Sequence, residues 1–112
     1  MIDTDSISKI VATYQKHGWI LRRVLLSAEL KQSLGKQIDN LFSSVGVIES
    51  DIDAAWFSRP PKSGGVAWEI RYLGNIPLAL LEKADENDPA FEKTLRNVES
   101  RLYECVAAKQ TA

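Results

Sequence analysis

The sequence predicts a single α+β domain over residues 1–112, in the order α-β-α-β-β-β-α, with a mainly antiparallel four-stranded sheet packed with helices. Three observations support this fold class. The 112 residues are 45% apolar and 26% charged, which suffices for one hydrophobic core. Apolar residues recur at helical spacing in three segments and at strand spacing in four others. Turn-forming residues, mainly glycine, proline and asparagine, separate several of these segments.

The first helix is predicted by an apolar stripe at Ile7, Ile10, Val11 and Tyr14. Asp and Ser side chains can cap its start, and Gly18 follows its last turn. Residues 19–26 are apolar on both alternating faces, which predicts a largely buried strand. Arg22 and Arg23 interrupt that strand, so at least one of these arginines needs a partner or access to water.

A second helical segment starts after Ser27, which is a suitable N-cap residue. Its apolar stripe consists of Leu30, Leu34, Ile38 and Leu41 or Phe42. Gly35 lies in the middle of this stripe and costs about 1 kcal/mol relative to alanine in a helix interior. The segment is therefore either one helix or two short turns with a break.

Two alternating segments, residues 45–57 and 66–72, predict a β-hairpin with Trp56 and Trp68 on its buried face. The register that places these tryptophans opposite each other also places Asp53 opposite Arg71. The two segments are joined by a tip rich in proline and glycine, Arg59–Gly65.

The next strand is predicted from Ile76 to Lys83, and its register depends on the preceding turn. A three-residue turn keeps Ile76, Leu78 and Leu80 on the core face, whereas a two-residue turn reverses them. The last helix is marked by Asp88 as N-cap and Pro89 in the first turn. Its core stripe consists of Phe91, Leu95, Val98, Leu102 and Val106. Cys105 lies next to this stripe and is expected to be a buried small hydrophobe.

The charge balance argues against a nucleic-acid or membrane partner. The formal net charge is −1, so the long-range attraction to phosphate is missing. No uncharged stretch approaches the roughly 20 residues that span a bilayer. Asp3 and Asp5 occupy positions where a secretory signal would be basic, and a cytoplasmic location is therefore expected.

Acidic residues provide the first candidate site. On one extended strand, Glu49, Asp51 and Asp53 would lie on the same face about 7 Å apart, close enough to share a divalent cation or polar ligand. His17 could act with them as a base or ligand. Against this, Asp53 has an expected partner in Arg71, and His17 suits the C-terminal carbonyls of the first helix. No metal or cofactor is assigned, and ligand binding by these four residues is the second hypothesis.

Cationic residues provide a weaker candidate. Arg59 and Lys62 on the hairpin tip could contact an acidic peptide or a phosphate group. Together with Arg22 and Arg23 they could form a platform for single-stranded nucleic acid. The net charge disfavours that platform, and exposed cations on a hairpin also protect a sheet edge from aggregation.

Catalytic motifs are absent from the sequence. It contains no Gly-x-Ser-x-Gly, Gly-x-Gly-x-x-Gly, Walker, His-Glu-x-x-His or EF-hand pattern. The single cysteine and single histidine form no familiar ligand set. No catalytic residue is assigned, and a non-enzymatic role is favoured.

Apolar residues on the outward face of the predicted sheet suggest a contact surface. This face is too small and mixed for a second core, so a helix or a second copy of the sheet should cover it. The candidate interaction residues are Phe57, Arg59, Lys62, Ala67 and Leu81. The leading hypothesis is a small cytoplasmic protein-interaction or accessory module that forms a homodimer through its sheet or sheet edge.

Overall fold

The structure, a computed structural model, describes residues 2–43, 45–60 and 66–111. Its elements are α1 (Thr4–Lys16), β1 (Ile20–Leu26), α2 (Ala28–Leu34), α3 (Gln37–Phe42), β2 (Gly46–Glu49), β3 (Ala54–Arg59), β4 (Val66–Tyr72), β5 (Ala79–Ala84) and α4 (Phe91–Thr111). The α+β class is confirmed. No helix within the described ranges has the length and apolar character needed to cross a membrane.

The five strands form one mixed sheet in the order β2-β1-β3-β4-β5. β1 and β2 are parallel, whereas the other three neighbouring pairs are antiparallel. The predicted four-stranded sheet lacked β2, because the segment from Val45 to Phe57 was interpreted as one strand. In the structure the chain leaves the sheet between Glu49 and Ala54, which makes two strands of it. The helices α2 and α3 form the crossover that parallel strands require.

Helices pack on both faces of the sheet and create two hydrophobic clusters. On one face, α1, α2 and α3 contribute Ile7, Val11, Leu30, Leu34 and Phe42, which pack with Leu21, Val24, Leu26, Ala55, Phe57 and Leu73. On the other face, α4 contributes Phe91, Leu95, Val98, Leu102 and Val106, which pack with Leu25, Ile52, Ala54, Trp56, Trp68, Ile70 and Tyr72. The expectation that the outward face cannot hold a second core is therefore wrong for its half beneath α1.

The second helical segment is broken, as one of the two alternatives predicted. Gly35 follows α2 with φ 52° and ψ −121°, a conformation that L side chains rarely adopt. Ser27 caps α2, since its hydroxyl accepts a hydrogen bond from the Leu30 N–H at 3.2 Å. The break lets Phe42 from α3 join the same buried cluster as Leu34 from α2.

The hairpin of β3 and β4 has a different register from the predicted one. Trp56 pairs with Ile70, and Ser58 pairs with Trp68, which is a shift of two residues. A shift of two keeps every side chain on its predicted face, so Trp56 and Trp68 are both buried, with ring centroids 6.2 Å apart. The predicted opposition of Asp53 and Arg71 is wrong.

Strand β5 and helix α4 follow the sequence pattern with three differences, the first being that β5 begins at Ala79 rather than at Ile76. Ile76, Leu78 and Leu80 pack against the α4 cluster, as the three-residue turn predicts. The Asp88 carboxylate accepts the Ala90 N–H at 2.8 Å, but the helix begins at Phe91 rather than in the Pro89 turn. Cys105 is exposed, so its prediction as a buried hydrophobe is wrong. Cys105 lies between Leu102 and Val106 in the sequence, but it lies outside the buried stripe that these residues form on α4.

Candidate functional site

On one face of the sheet, the described helices leave β5 exposed and cover β4 only in part. We call this surface the open face, and it consists of Ala67, Glu69, Arg71, Ala79, Leu81 and Lys83. The ladder pairs these residues as Ala67 with Lys83, Glu69 with Leu81 and Arg71 with Ala79. None of them belongs to the cluster beneath α1, α2 and α3. Leu81 is 63% exposed, the most of any large apolar side chain among the described residues.

Tyr14 of α1 marks the border between the covered and uncovered parts of this side of the sheet. Its ring stacks on Phe57 at 4.1 Å with an interplanar angle of 11°. Its hydroxyl donates a hydrogen bond to the Glu69 carboxylate. Burial, reinforced by this bond, raises the pKa of the Tyr14 phenol, so it remains a donor at neutral pH. Phe57, a predicted interaction residue, is therefore corrected to a core residue with no exposed surface.

Strand β5 also exposes a backbone edge. Next to the last pair of the β4–β5 ladder, the Tyr72 N–H donates to the Leu78 carbonyl at 2.9 Å, so this carbonyl points towards β4, whereas the Leu78 N–H donates to the Ile76 carbonyl. Antiparallel ladders alternate, so Leu80 and Glu82 also direct their backbone groups towards β4. The backbone N–H and C=O groups of Ala79, Leu81 and Lys83 point the other way, and no strand of the described ranges pairs with them.

The open face combines apolar and charged side chains of both signs. Each cross-strand pair on this face joins one apolar residue to one charged residue. The pairs are Ala67 with Lys83, Leu81 with Glu69, and Ala79 with Arg71. Of these six residues, Lys83 also lines an open groove of about 260 Å³ towards α4, and the edge of β5 lies beside the face. Such a surface can pack against another protein or extend a sheet.

The predicted acidic site is not assembled. Glu49 ends β2 and Asp51 follows in the loop, both beside an open groove of about 460 Å³ at the start of α2. The Asp53 carboxylate accepts the Ser27 N–H at 2.6 Å, and Asp53 lines a smaller groove of about 260 Å³ together with Asp51 but not Glu49. Among the described residues, no group of three His, Cys, Asp or Glu side chains is arranged to hold a metal ion. Ligand binding by these residues stays a prediction.

His17 lies at the opposite end of β1 from the acidic loop. It is the exposed C-cap residue of α1, and its carbonyl accepts a hydrogen bond from Arg59 at 3.4 Å. The acidic loop follows the end of β2, where Glu49 pairs with Leu26 at the other end of β1. The structure does not bring His17 together with Glu49, Asp51 or Asp53.

A second groove, of about 430 Å³, lies between the loop before β3 and helix α4. It is lined by Ser50, Asp51, Ile52, Arg96, Glu99, Ser100, Tyr103 and Glu104. Within it, the Glu99 carboxylate accepts the indole N–H of Trp56 at 2.8 Å. Sequence reasoning missed the α4 residues of this groove, because charged residues on the outer surface of a helix carry no pattern that distinguishes them.

The predicted cationic residues are largely engaged within the chain. Arg22 bonds Glu86 at 2.8 Å, and Arg23 bonds both carboxylate oxygens of Glu92 at 2.9 and 3.1 Å. Arg59 lies 5.2 Å from the ring centroid of Trp19. Lys62 lies outside the described residues. Two of the four proposed phosphate contacts are thus already paired with carboxylates.

Arg22 has a special backbone position. The ladder between β1 and β3 shifts between Leu21 and Arg23, so Arg22 is the extra residue of a β-bulge. Its guanidinium donates to the buried Ser58 hydroxyl at 3.1 Å and lies 4.9 Å from the Trp68 ring centroid. The bulge therefore places both arginines over the α4 side of the sheet.

Comparisons with models of protein families, with curated proteins and with solved structures give no significant match to this chain.

Proposed function

We propose that this protein is a self-associating interaction module whose contact surface is the open face and edge of β5. The observation that carries the proposal is the uncovered position of β5, where Leu81 is 63% exposed beside unpaired backbone groups. An exposed strand edge with an apolar residue at its centre is a template for pairing with another chain.

The distribution of helices supports this proposal. Helix α1 covers the sheet as far as Tyr14 and Phe57, and α4 covers the opposite face up to Leu80. Leu81 and Ala79 of β5 lie on the same side of the sheet as α1 but beyond its coverage, and they remain exposed. Burying an exposed leucine side chain stabilises an interface by about 1.5–3 kcal/mol before the costs of association.

The charge pattern supports a protein partner rather than a polyanion. The open face carries one acidic residue, Glu69, and two basic residues, Arg71 and Lys83, so charges of both signs are interspersed. A nucleic acid would require an excess of positive charge, and the net charge of the chain is −1. A protein partner with mixed charges fits such a surface.

Analytical ultracentrifugation from about 5 to 200 µM protein tests the proposal, a range in which a weak specific dimer forms. We expect the average mass to rise from 12.5 kDa towards twice that value. Leu81→Lys should shift the midpoint to at least about tenfold higher concentration, because it removes apolar burial and places a charge in the contact. A monomer mass over the whole range would contradict the proposal.

Ile48→Lys is the matched control. Ile48 is 43% exposed and lies on β2, the other edge strand of the sheet. The same substitution at this edge should leave the mass distribution unchanged. Thermal melting of both variants checks that neither change unfolds the monomer, and equal loss of association in both would contradict the assignment to β5.

A further inference from the structure

The free edge of β5 can pair with a copy of itself. The outward-directed backbone groups belong to Ala79, Leu81 and Lys83, which are evenly spaced along the strand. Each of these residues carries an amide N–H, because Pro77 lies before the strand begins. Donors and acceptors therefore alternate along the whole edge without a gap.

We infer that two copies join through β5 in antiparallel orientation, with a two-fold axis at Leu81, and so form one continuous sheet. This inference rests on the proposed self-association and specifies its partner and register. Leu81 then lies opposite Leu81 of the second copy, and Ala79 lies opposite Lys83 of the second copy. These residue pairs exchange both of their backbone hydrogen bonds.

The neighbouring registers are less favourable. An axis at Glu82 places the Glu82 carboxylates of both copies opposite each other in a close, non-hydrogen-bonded pair. An axis at Leu80 places Lys83 opposite Pro77, which has no N–H to donate. The axis at Leu81 keeps all outward-facing pairs within Ala79–Ala84.

Side chains fit this register on both faces of the sheet. On the open face, the two Leu81 side chains meet at the axis, and each Lys83 faces an alanine rather than another cation. On the α4 face, Glu82 lies opposite Leu80 of the second copy. Glu82 already has a cationic partner in its own chain, since Arg101 bonds its carboxylate at 3.1 Å.

The other edge strand is less suitable for the same pairing. β2 has four residues, whereas β5 has six. Each hydrogen-bonded pair contributes to association, so a shorter edge gives a weaker contact. The two-fold contact is therefore assigned to β5, and β2 remains an outer edge of the combined sheet.

Amide hydrogen exchange of the unmodified chain, measured by NMR at concentrations below and above the association midpoint, tests the register. We expect the amides of Ala79, Leu81 and Lys83 to become protected only at the higher concentration. The amides of Leu80 and Glu82 already bond to β4 and should be protected at both concentrations.

A backbone variant provides a second measurement. Ala79→Pro removes one outward N–H at the first residue of β5, where proline is tolerated, and by symmetry removes two intermolecular bonds. It should weaken association by about tenfold or more. Ala79→Ser keeps the N–H and should associate as the unmodified chain does, and circular dichroism checks the fold of both variants.

The outcomes separate this inference from the proposed function. Association with concentration-dependent protection of these three amides supports the β5 register. Association in which they continue to exchange freely overturns the register but leaves self-association through the open face in place. A monomer at every concentration overturns both.

Discussion

The two buried tryptophans of the α4 cluster differ in how their indole nitrogens are satisfied. Trp56 donates its indole N–H to Glu99, 43 residues away, at 2.8 Å. The Trp68 nitrogen is buried and has no hydrogen-bond partner among the described residues. Trp68 instead contacts the Phe91 ring edge-on, with centroids 5.1 Å apart, and lies beneath Arg22. Its contribution is therefore one of packing.

Trp68→Ala should destabilise the protein by about 3–5 kcal/mol, because it removes a large side chain that is 1% exposed. Urea unfolding monitored by circular dichroism gives the difference in the free energy of unfolding. Tyr103→Ala, at a position 50% exposed, is the control and should change stability by about 0.5 kcal/mol or less. Similar small losses for both variants would contradict the burial of Trp68.

At the scale of secondary-structure elements, the break between α2 and α3 determines whether Gly35→Ala stabilises or destabilises the protein. In a continuous helix, Gly35→Ala would stabilise by about 1 kcal/mol, because alanine is the better helix former. Here Gly35 has φ 52° and ψ −121°, so an alanine would be strained there. We expect destabilisation by about 1–3 kcal/mol in thermal and urea unfolding. A stabilised variant would mean that the two helices are one.

The ion pair of Arg23 and Glu92 connects β1 to α4 and makes a pH-dependent contribution. The hydrogen bond from Arg23 lowers the pKa of Glu92 from its ordinary value of 4.5. A lowered folded-state pKa stabilises the fold above the unfolded value, and the stabilisation is lost as pH falls through the folded value. Because Glu92 is 54% exposed, the pair is worth about 0.2–1 kcal/mol at most.

Glu92→Gln should therefore lower the free energy of unfolding by this small amount at pH 7 and by less at an acidic pH, where protonation of Glu92 weakens the ion pair. Urea unfolding at both pH values checks the difference. Glu104→Gln on the same helix makes no ion pair with the described residues and is the control. An effect of Glu92→Gln that grows in acid would contradict the sign.

The sequence predicted the elements whose pattern is local. Helical spacing located α1 and α4, and parity placed Trp56 and Trp68 on one face, because each of these signals lies within a single segment. β2 was merged with β3 into one predicted strand, since the parallel pairing of β2 with β1 leaves no local pattern that separates the two. The hairpin register was wrong by two residues, a shift to which alternation is insensitive.

The candidate surface was predicted in part for the same reason. Parity placed Ala67 on the outward side of the sheet, and one of the two turn alternatives placed Leu81 there as well. It could not show that α1 buries Phe57 on that same side, because this contact joins elements distant in the chain. Nor could it show that the Asp53 carboxylate accepts a hydrogen bond from the Ser27 N–H.

At the scale of the whole molecule, the sheet separates two groups of buried side chains. Ile7 belongs to the cluster beneath α1, and Ile70 belongs to the cluster beneath α4. Both side chains are fully buried, yet they lie on opposite faces of the same sheet. The chain thus divides its apolar residues between two packed layers that meet only through the strands.

This division implies that the two layers are energetically nearly independent. Ile7→Val and Ile70→Val should each cost about 0.5–1.5 kcal/mol, and their effects should add within about 0.5 kcal/mol in a double-mutant cycle. Trp68→Phe and Phe91→Leu, whose rings touch, should deviate from additivity by more. Substitutions on one side of the sheet therefore leave the stability cost of substitutions on the other side nearly unchanged. The two halves of the interior are thus free to diverge separately.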